Sequence, residues 1–381
     1  MKILPCIKIL PLVLAPAVLS LSCGSKSENF DYEDVATADT LTHHAHYLTI
    51  TDQGNGAVNV DIADPWNQGR YLGRYVLVHR DSTLPENLPK DATVLRVPLE
   101  RMAVYSSVHA SGLEELGALG SIVAVADGKY FAADDSINAL IRGGKIADIG
   151  PAASPSAELL AASQAQAVLR SPMEGITAPA LPSSIIPLEF ADYLETSPIA
   201  RAEWILFLGE LTGKRARASE ILTEVIDTYS DLVFKASTAG SPNPRVLTES
   251  EYSGVWYVPA GESYMARLIS DAGGDYLWAD TKGTGSLALS MEKVAERGLD
   301  ADVWILRTFG YTATPASLRA ANPRYGSFRP VKDDMVYGCD TAVKPIFNDI
   351  AFHPERILAD YVTIFHPEAM PGYELRYFSH K

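Results

Sequence analysis

Aromatic and basic side chains gather where several of the expected strands end, and they are the residues of this chain best placed to do chemistry. Short apolar runs that predict strands end at Ser106, Ala126, Leu169, Val258 and Leu306. If these strands are parallel, their carboxyl ends open onto one crevice, where ligands usually bind. At or near these ends lie Tyr105, His109, Lys129, Tyr130, Phe131, Tyr193, Trp256, Tyr257, Arg307, Phe309 and Tyr311.

This set of side chains predicts the binding of a flat or bulky organic chelate. Aromatic faces bury a large ligand surface, and arginine pairs with carboxylate or catecholate oxygens. Trp256, Tyr257 and Arg307 are the best candidates, because each follows or ends an apolar strand where a core residue is less expected. The alternative is that several members of the set pack within a core or between lobes.

Signatures of catalysis and of bare-metal binding are missing from the sequence. It has no G-x-S-x-G elbow, phosphate-binding loop, H-E-x-x-H or C-x-x-C motif. Ser107 and His109 are close in sequence, but such pairs are more often loop residues than a nucleophile and its base. His43, His44 and His46 could bind a metal, yet the other histidines supply no convergent ligands. We therefore expect a binding protein with no chemical step, no cofactor and no metal site.

Length and charge narrow the class of protein further. A chain of 381 residues exceeds what one hydrophobic core usually serves, so two domains are expected. The formal net charge is −15. An acidic chain is poorly suited to neutralise phosphates, which argues against nucleic acid as a partner.

The N-terminus predicts a lipid anchor. Residues 1–22 have a short basic start, an apolar core and small residues before Cys23, which resembles a lipoprotein signal peptide with Cys23 as the lipid-bearing residue. The apolar run is broken by Pro11 and Pro16 and is shorter than the roughly 20 residues that a bilayer requires, which disfavours a membrane span. The protein is therefore expected on the extracytoplasmic face of the membrane or in the periplasm. Cys339 is expected to be a buried apolar residue.

The rest of the chain divides by its hydrophobic pattern. Residues 23–45 are polar and acidic and predict a flexible tether. Residues 46–92 contain three alternating runs with turn residues between them, which predict a small antiparallel β unit. In the segments 93–200 and 237–381, apolar strands alternate with helices. This alternation predicts two α/β lobes, each built on a largely parallel sheet.

Residues 201–236 are expected to form the helices between the two lobes. The apolar residues of the run 215–236 fall on one stripe at helical spacing, which predicts a single helix of roughly 33 Å. A helix of that length can bridge two lobes. The alternative is an ordinary core helix within one large domain.

Two sequence echoes indicate that the lobes are related to each other. In residues 116–127 and 269–280, a helix end is followed by a glycine and by Ala-Asp, with the same seven-residue step from Gly to Asp. In addition, a Ser-x-Glu sequence opens an expected helix at Glu158 and again at Glu292. The same order of both echoes predicts a pseudo-duplicated, bilobal protein.

Three stretches carry a family resemblance: RVPLERMAVYSS at 96–107, EWILFLGELTGK at 203–214 and HPERILADYVTIFHP at 353–367. They resemble the substrate-binding proteins of ATP-binding-cassette importers for iron-siderophore complexes, haem and vitamin B12. The resemblance implies two Rossmann-like lobes joined by a rigid helix. The chain departs from commoner members in its N-terminal β unit, in its long 127–135 loop and in lacking a glycine-rich stretch after Pro172. These departures flank the expected crevice, so ligand specificity is the property they put in doubt.

The resemblance also implies partners. Members of this family act as monomers that deliver a ligand to a membrane permease with its ATPase. Each lobe carries one glutamate near its tip that pairs with permease arginines, and matching the motifs places these at Glu158 and Glu292. The simpler interpretation of both residues is an acidic side chain at a helix N-terminus, where it complements the helix dipole.

A ferric siderophore is the first expectation for the ligand, because such a complex is often anionic and needs cations around it. The cations available near the expected crevice are Lys129, Arg307 and either Arg324 or Arg329.

Cobalamin and haem are the alternatives within the same transporter class. Trp256 with several tyrosines could sandwich a corrin, and Tyr105, Tyr130 or His109 could be an axial ligand of haem. Two further classes stay open from the residues alone. One is an enzyme or chelatase that acts on a tetrapyrrole, and the other is an adhesion or structural surface lipoprotein.

Overall fold

The computed structural model describes residues 38–86, 88–131 and 135–380. The expected signal peptide, residues 1–22, and the expected lipid-bearing Cys23 lie outside this part of the chain. What the sequence predicts for them therefore stays a prediction.

The chain begins with a five-stranded sheet in the order β1-β2-β3-β4-β5. Its strands are Asp39–Thr40 (β1), Leu48–Asp52 (β2), Ala57–Ala63 (β3), Tyr71–His79 (β4) and Thr93–Val97 (β5). Apolar residues alternate along β2 and β3 to bury one face, while residues 75–78 of β4 are buried on both faces.

The antiparallel β unit expected at residues 46–92 is present as β2, β3 and β4, but its sheet extends beyond residue 92 to β5. The first four strands pair antiparallel, but β5 pairs parallel with β4. A parallel neighbour needs a crossover connection, and the chain between β4 and β5 supplies one whose Leu88 and Ala92 pack on Ala57, Val76 and Val78. The strand assigned from sequence to the first lobe therefore completes the N-terminal sheet.

The end of the expected tether is also wrong, because residues 39–45 are fixed to the folded protein. Besides the β1 pairing, the carboxylate of Glu203 accepts hydrogen bonds from the backbone N–H groups of residues 43, 44 and 45 at 2.8, 2.8 and 2.7 Å. The fully buried carboxylate of Glu195 accepts from residues 46 and 47 at 2.9 and 3.1 Å and from the Trp204 indole at 3.0 Å. Two buried glutamates thus hold the start of the β unit in place.

The N-terminal lobe is built on a parallel sheet in the order β10-β9-β6-β7-β8. Its elements are Met102–Val104 (β6), Ser107–Glu115 (α1), Ile122–Val125 (β7), Asp135–Arg142 (α2), Ala147–Asp148 (β8), Ala157–Ala162 (α3), Ala167–Arg170 (β9) and Ile186–Glu189 (β10).

Three helices follow the lobe: Pro198–Ala202 (α4), Ile205–Thr212 (α5) and Arg215–Ser237 (α6). Gly213, with a φ of 67°, ends α5 in the left-handed conformation that glycine adopts without strain. The single long helix expected from the apolar stripe is confirmed, and at 23 residues α6 spans roughly 34 Å.

Helix α6 contributes to two different hydrophobic cores, which decides between the two interpretations of its sequence. Its first half packs Ile221 and Val225 into the core of the N-terminal lobe. Its second half packs Tyr229, Leu232 and Ala236 into the core of the following lobe. The helix is therefore a bridge between lobes and not a helix of one large core.

The C-terminal lobe has a parallel sheet in the order β14-β11-β16-β17 and a separate antiparallel sheet in the order β12-β13-β15. Its elements are Arg245–Thr248 (β11), Glu251–Tyr252 (β12), Val255–Pro259 (β13), Tyr264–Asp271 (α7), Asp275–Tyr276 (β14), Ser286–Leu289 (β15), Met291–Gly298 (α8), Val303–Thr308 (β16), Pro315–Ala321 (α9), Arg329–Lys332 (α10), Val336–Asp340 (β17), Ile346–Phe352 (α11) and Pro354–Phe365 (α12).

The two parallel sheets share one topology. The order β7-β6-β9-β10 in the first lobe corresponds strand for strand to β14-β11-β16-β17 in the second. Helix α3 leads into β9, and helix α8 leads into the corresponding strand β16. The fold is thus two related Rossmann-like α/β lobes joined by a long helix and preceded by a β sheet.

Cys339 lies on β17 and is fully buried, as the sequence predicts. Burial raises the pKa of its thiol to about 12. The thiolate is the nucleophilic form of cysteine, so this residue is inert at neutral pH.

The lobes also touch directly where α1 meets α11. A side chain at Gly112 on α1 would place its Cβ 2.5 Å from Leu208 Cδ1 and 2.5 Å from Phe352 Cε2. Phe352, at the end of α11, is 1% exposed and belongs to the core of the N-terminal lobe. Glycine at position 112 therefore permits the close approach of the two helices.

A charged cluster continues this junction at the far ends of α1 and α11. His353 Nε2 lies 3.3 Å from Glu115 Oε1, and His353 Nδ1 lies 2.9 Å from Glu355 Oε1. Burial alone would lower the pKa of His353, but the two carboxylates outweigh it and raise the pKa to about 9. The contact with His353 lowers the pKa of Glu115 to about 2. The pair therefore carries opposite charges at neutral pH.

This cluster should make the protein less stable as pH rises. Because the pKa of His353 is about 9 in the folded protein and 6.5 ordinarily, its stabilising contribution is complete below about pH 6.5 and is lost as pH rises through 9. We expect the free energy of unfolding to fall by roughly 2 to 3 kcal/mol from this group. Urea denaturation of the chain from residue 25 onward, between pH 6 and 10, measures the change.

The His353→Gln variant is the control, because tyrosines and lysines also titrate in this range. The difference in stability between the unsubstituted chain and the variant should shrink as pH rises from 6 to 10. A difference that stays constant over that range would show that His353 is not held charged by Glu115 and Glu355.

Candidate ligand-binding cleft between the lobes

A cavity of about 460 Å³ lies between the two lobes. Its residues follow the carboxyl ends of β6 and β7 on one side and of β16 and β17 on the other, as expected for a ligand site on such sheets. The lining residues are Tyr105, Ser106, Ser107, Val108, Ala126, Asp127, Lys129, Tyr130, Phe131, Phe309, Thr341, Ala342, Lys344, Pro345, Phe347 and Asn348. We call this space the interlobe cavity.

The polar groups of the interlobe cavity suit an oxygen-rich, anionic ligand. The Tyr105 hydroxyl is buried without a hydrogen-bond partner in the described chain, and burial raises its pKa while the charge of Arg170 opposes the rise. Lys129 Nζ lies 4.7 Å from the ring centre of Tyr130, and Lys344 Nζ donates to the Arg376 carbonyl at 2.8 Å. Two lysines and a tyrosine with an unpaired, buried hydroxyl thus line the same cavity.

A second cavity, of about 550 Å³, adjoins the first on the C-terminal lobe and shares Phe309 with it. It is lined by Glu249, Ser250, Glu251, Tyr252, Tyr257, Pro259, Ser286, Arg307, Thr308, Phe309 and Tyr311. We call it the tyrosine pocket.

Arg307 stands between the two cavities. Its guanidinium is paired with the Glu249 carboxylate, with Nε 3.0 Å from Oε1. Its Cζ atom lies 5.5 Å from the ring centre of Phe347, a wall of the interlobe cavity. Burial opposes the charge of Arg307, but Glu249 outweighs it and raises the pKa of the guanidinium. Arg307 therefore carries a fixed positive charge that Glu249 largely neutralises.

Most of the residues singled out from sequence lie at these two cavities. Tyr105, Lys129, Tyr130 and Phe309 line the interlobe cavity. Tyr257, Arg307, Phe309 and Tyr311 line the tyrosine pocket.

Trp256 is placed differently, and its expected position at the crevice is wrong. Its side chain is fully buried, stacked on Trp304 with ring centres 5.4 Å apart, and its indole N–H donates to the Thr248 carbonyl at 2.9 Å. Successive side chains of a strand point to opposite faces, so on β13 Trp256 and Val258 point inward while Tyr257 points out. The alternation of side chains along β13 therefore predicts the burial of Trp256, whereas its position after an apolar run does not.

His109 and Tyr193 also lie away from the two cavities. His109 on α1 is fully buried, with its ring 4.7 Å from that of Phe190 and Nε2 3.9 Å from Asp192 Oδ1. The Tyr193 hydroxyl donates to the Pro172 carbonyl at 2.6 Å. His109 is therefore a core residue, and Tyr193 anchors the loop that follows β9.

The segment that follows β17 contributes site residues that were not predicted from the sequence. Lys344, Phe347 and Asn348 line the interlobe cavity, and Asn348 is 7% exposed. By the rule that ligand residues follow the carboxyl ends of parallel strands, the residues after β17 were also candidates. That rule was the available signal.

Glu158 and Glu292 occupy equivalent exposed positions on the two lobes. Each lies in the first turn of its helix, α3 or α8, just after a serine N-cap. Ser156 accepts a hydrogen bond from Leu159 N at 3.2 Å, and Ser290 accepts from Lys293 N at 3.3 Å. The two helices precede corresponding strands, so the glutamates are related by the same pseudo-duplication as the sheets.

Within 38–86, 88–131 and 135–380, no helix is both long and apolar enough to cross a membrane. Over the same ranges, no group of three or more histidine, cysteine, aspartate or glutamate side chains could hold a metal ion.

Two lobes, a long connecting helix and a cavity between the lobes define a bilobal solute-binding protein. The model of the periplasmic binding protein family matches residues 102–343, and the chain belongs to that family. Members of this class bind and release a solute, so this chain is a binding protein and not an enzyme.

A curated relative covers most of the chain. It is an uncharacterized lipoprotein of Methanocaldococcus jannaschii, 28% identical over 352 residues, which are 87% of this chain and 82% of the relative.

Solved structures share the fold at low sequence identity. Helicobacter pylori CeuE with bound Ni(II) matches with a TM-score of 0.58 and 16% identity over 74% of this chain and 88% of that one. A periplasmic haem-binding protein of Pseudomonas aeruginosa matches with a TM-score of 0.56 and 16% identity over 74% of this chain and 97% of that one.

Proposed function

We propose that this protein is the substrate-binding lipoprotein of an ATP-binding-cassette importer and that it captures a ferric siderophore. It would deliver the chelate to a membrane permease driven by an ATPase. Membership of the periplasmic binding protein family and the lipoprotein relative support this role. Similar folds with bound Ni(II) and in a haem-binding protein are compatible with a metal complex as cargo.

The observation that carries the choice of ligand is the composition of the interlobe cavity. Lys129 and Lys344 offer two positive charges, and Asp127 is the single carboxylate among the lining residues. The Tyr105 hydroxyl lacks a partner in the described chain. Exposed rings of Tyr130, 61% exposed, and Phe309, 70% exposed, can cover a bulky chelate. A ferric siderophore with a negative charge matches these groups.

Haem and cobalamin are the second candidates, and the positions of the aromatic residues favour haem over cobalamin. Tyr105 and Tyr130 line the interlobe cavity, which keeps a tyrosine available as an axial ligand of haem. His109 lies in the core and is not available for that role. Trp256 is also in the core, which removes the tryptophan that a corrin sandwich was expected to use.

The location follows from the same proposal. Cys23 would carry the lipid, and residues 24–38 would connect it to the folded chain as a monomer on the extracytoplasmic face. Glu158 and Glu292 would contact the permease, one from each lobe.

Binding should be specific for one chelate and should depend on the two lysines. We expect the chain from residue 25 onward to bind a ferric siderophore one to one, and the double substitution Lys129→Met with Lys344→Met to weaken affinity by about tenfold or more. Tryptophan fluorescence quenching against ferric catecholates, ferric hydroxamates, haemin and cyanocobalamin measures this.

Lys282→Met is the matched control, because Lys282 is 89% exposed and lies away from both cavities. It should bind like the unsubstituted chain. Saturable binding of haemin or cyanocobalamin alone would replace the siderophore by that ligand. Silence with all four, from a folded protein, would refute a metal chelate as the cargo.

A further inference from the structure

The tyrosine pocket is built differently from the interlobe cavity. One wall of the pocket comes from the antiparallel strands β12, β13 and β15, which lie outside the parallel sheet. The other wall comes from the last residues of β16 and from the residues that follow β11 and β16. Four aromatic rings face this space while remaining largely exposed: Tyr252 at 75%, Tyr257 at 47%, Phe309 at 70% and Tyr311 at 51%. A concentration of exposed aromatic rings around a concave surface is typical of a binding site.

The charge of the tyrosine pocket is negative. Its one cation, Arg307, is already paired with Glu249. The carboxylate of Glu251, the other acid lining the pocket, makes no hydrogen bond or ion pair with any described residue. One uncompensated negative charge, on the residue that pairs with Trp256 across the β12-β13 hairpin, therefore borders the pocket that the four exposed rings line.

The backbone at Glu249 supports a functional role for this pocket. Glu249 has a φ of 60°, a conformation that non-glycine residues adopt at a cost. The structure keeps it there because the Glu249 carboxylate holds Arg307 and its carbonyl accepts the Trp304 indole N–H at 2.7 Å. Strain of this kind gathers at ligand sites, where it fixes a side chain in one place.

Aromatic rings beside a free carboxylate form a site for an organic cation. Ring faces attract ammonium groups through their quadrupole, and a carboxylate adds a direct charge interaction. An anionic group would be repelled by Glu251. A bare metal ion would lack ligands, because the described residues contain no group of three carboxylate, histidine or cysteine side chains suited to one.

We infer that the tyrosine pocket binds an ammonium group, carried as a cationic arm by the chelate that occupies the interlobe cavity. The inference rests on the proposed function. Phe309 borders both spaces, so one ligand can reach from one into the other. The two lysines of the interlobe cavity and Glu251 of the tyrosine pocket then select a ligand with negative and positive ends. A chelate lacking the cationic arm would leave Glu251 without a partner.

The first test examines the pocket without any chelate. Choline and its neutral isostere 3,3-dimethylbutan-1-ol are titrated into the chain from residue 25 onward, and binding is followed by ligand-observed NMR. Choline should bind about threefold or more tighter than the alcohol, as expected for a cation–π site. The preference should disappear in Glu251→Gln and in Tyr257→Ala. Glu220→Gln and Phe234→Ala, exposed residues on α6, are the matched controls and should retain it.

The second test uses a ferric linear trihydroxamate with a terminal primary ammonium group and its N-acetylated counterpart. The ammonium form should bind about threefold or more tighter, and Glu251→Gln should equalise the two. Equal affinities in the unsubstituted chain, or no preference for choline over the alcohol, would overturn the inference while leaving the proposed function in place. If neither chelate binds, the cationic arm is refuted together with the hydroxamate cargo, and the choline result then decides whether the pocket accepts a cation by itself.

Discussion

Reversing the charges of Glu158 and Glu292 together should abolish ligand uptake while leaving ligand affinity unchanged. Both side chains are exposed, and they occupy equivalent positions, one on each lobe. If each pairs with an arginine of the permease, a lysine in its place turns an attraction into a repulsion. Like charges across an interface cost several kcal/mol, and here the cost falls at two places at once.

The measurement is uptake of a labelled chelate by cells or proteoliposomes that contain the cognate permease. Affinity is measured separately on the soluble chain by fluorescence quenching. We expect uptake to fall to background for the double variant and to fall partly for each single variant. Affinity should match that of the unsubstituted chain, because neither glutamate lines the interlobe cavity or the tyrosine pocket.

Glu220→Lys with Glu374→Lys is the matched control. It makes the same change in net charge at two other exposed positions, one on α6 and one in the C-terminal segment, and it should transport normally. A lysine in the first turn of a helix costs at most about 1 kcal/mol, so folding should be retained in all variants. Normal uptake by the Glu158/Glu292 double variant would show that these residues do not contact the permease. A loss of ligand affinity would show that they contribute to ligand binding instead.

Local patterns in the sequence predict the helices of this protein well. The apolar stripe of α6 predicted its limits to within one residue, and α9 and α12 begin at prolines, which favour the first turn of a helix. Each of these signals lies within the helix itself or next to it. What the pattern left open was whether α6 serves one core or two, because that depends on residues far away in sequence.

The errors in the fold come from partners that are distant in sequence. Period-two alternation shows that residues 93–97 form a strand, but it does not show that their neighbour is β4. Residues 43–45 end a polar, acidic segment that predicts a tether, yet they are held by Glu203, which lies 158 to 160 positions further along the chain. Every non-proline residue has a backbone N–H that can donate to a distant carboxylate. The side chains of residues 43–45 therefore do not reveal this contact.

The candidate site was predictable to the extent that it follows strand ends. Tyr105 and Lys129 were found because β6 and β7 were located nearly correctly. The position of Trp256 after an apolar run predicts the crevice wrongly, whereas the alternation of side chains along β13 places Trp256 and Tyr257 on opposite faces. The free carboxylate of Glu251 could not be inferred, since the sequence does not show that Arg307 pairs with Glu249 instead.

A buried ion pair joins the lobes where α4 meets both of them. Arg201 on α4 is 5% exposed, and its Nε lies 3.0 Å from Oδ2 of Asp192, which is 2% exposed. The guanidinium carbon also lies 4.7 Å from the ring centre of Tyr264 on α7, in the C-terminal lobe. Burial opposes ionisation of Asp192, but the charge of Arg201 and the contact with His109 outweigh it and lower the pKa of the carboxyl. Arg201 thus connects Asp192 of one lobe to Tyr264 of the other.

Replacing Arg201 by methionine should destabilise the protein more than any surface substitution. The change leaves Asp192 charged and buried without its cation, which typically costs about 3 to 5 kcal/mol. The loss should appear as a lower midpoint of urea denaturation at pH 8. It should shrink at pH 4 to 5, because protonation of Asp192 removes the unpaired buried charge.

The double substitution Arg201→Met with Asp192→Leu separates the burial of a lone charge from the value of the pair itself. Replacing both members of a buried pair by apolar residues is often nearly neutral, so the double variant should recover most of the stability lost by Arg201→Met. Recovery would mean that Asp192 needs Arg201, while the lobes are held mainly by the apolar contacts of α6 and Phe352. If the double variant stays as unstable as the single one, the contact of Arg201 with Tyr264 is what joins the lobes. In that case ligand affinity should fall as well, because the two walls of the interlobe cavity would no longer be held at a fixed separation.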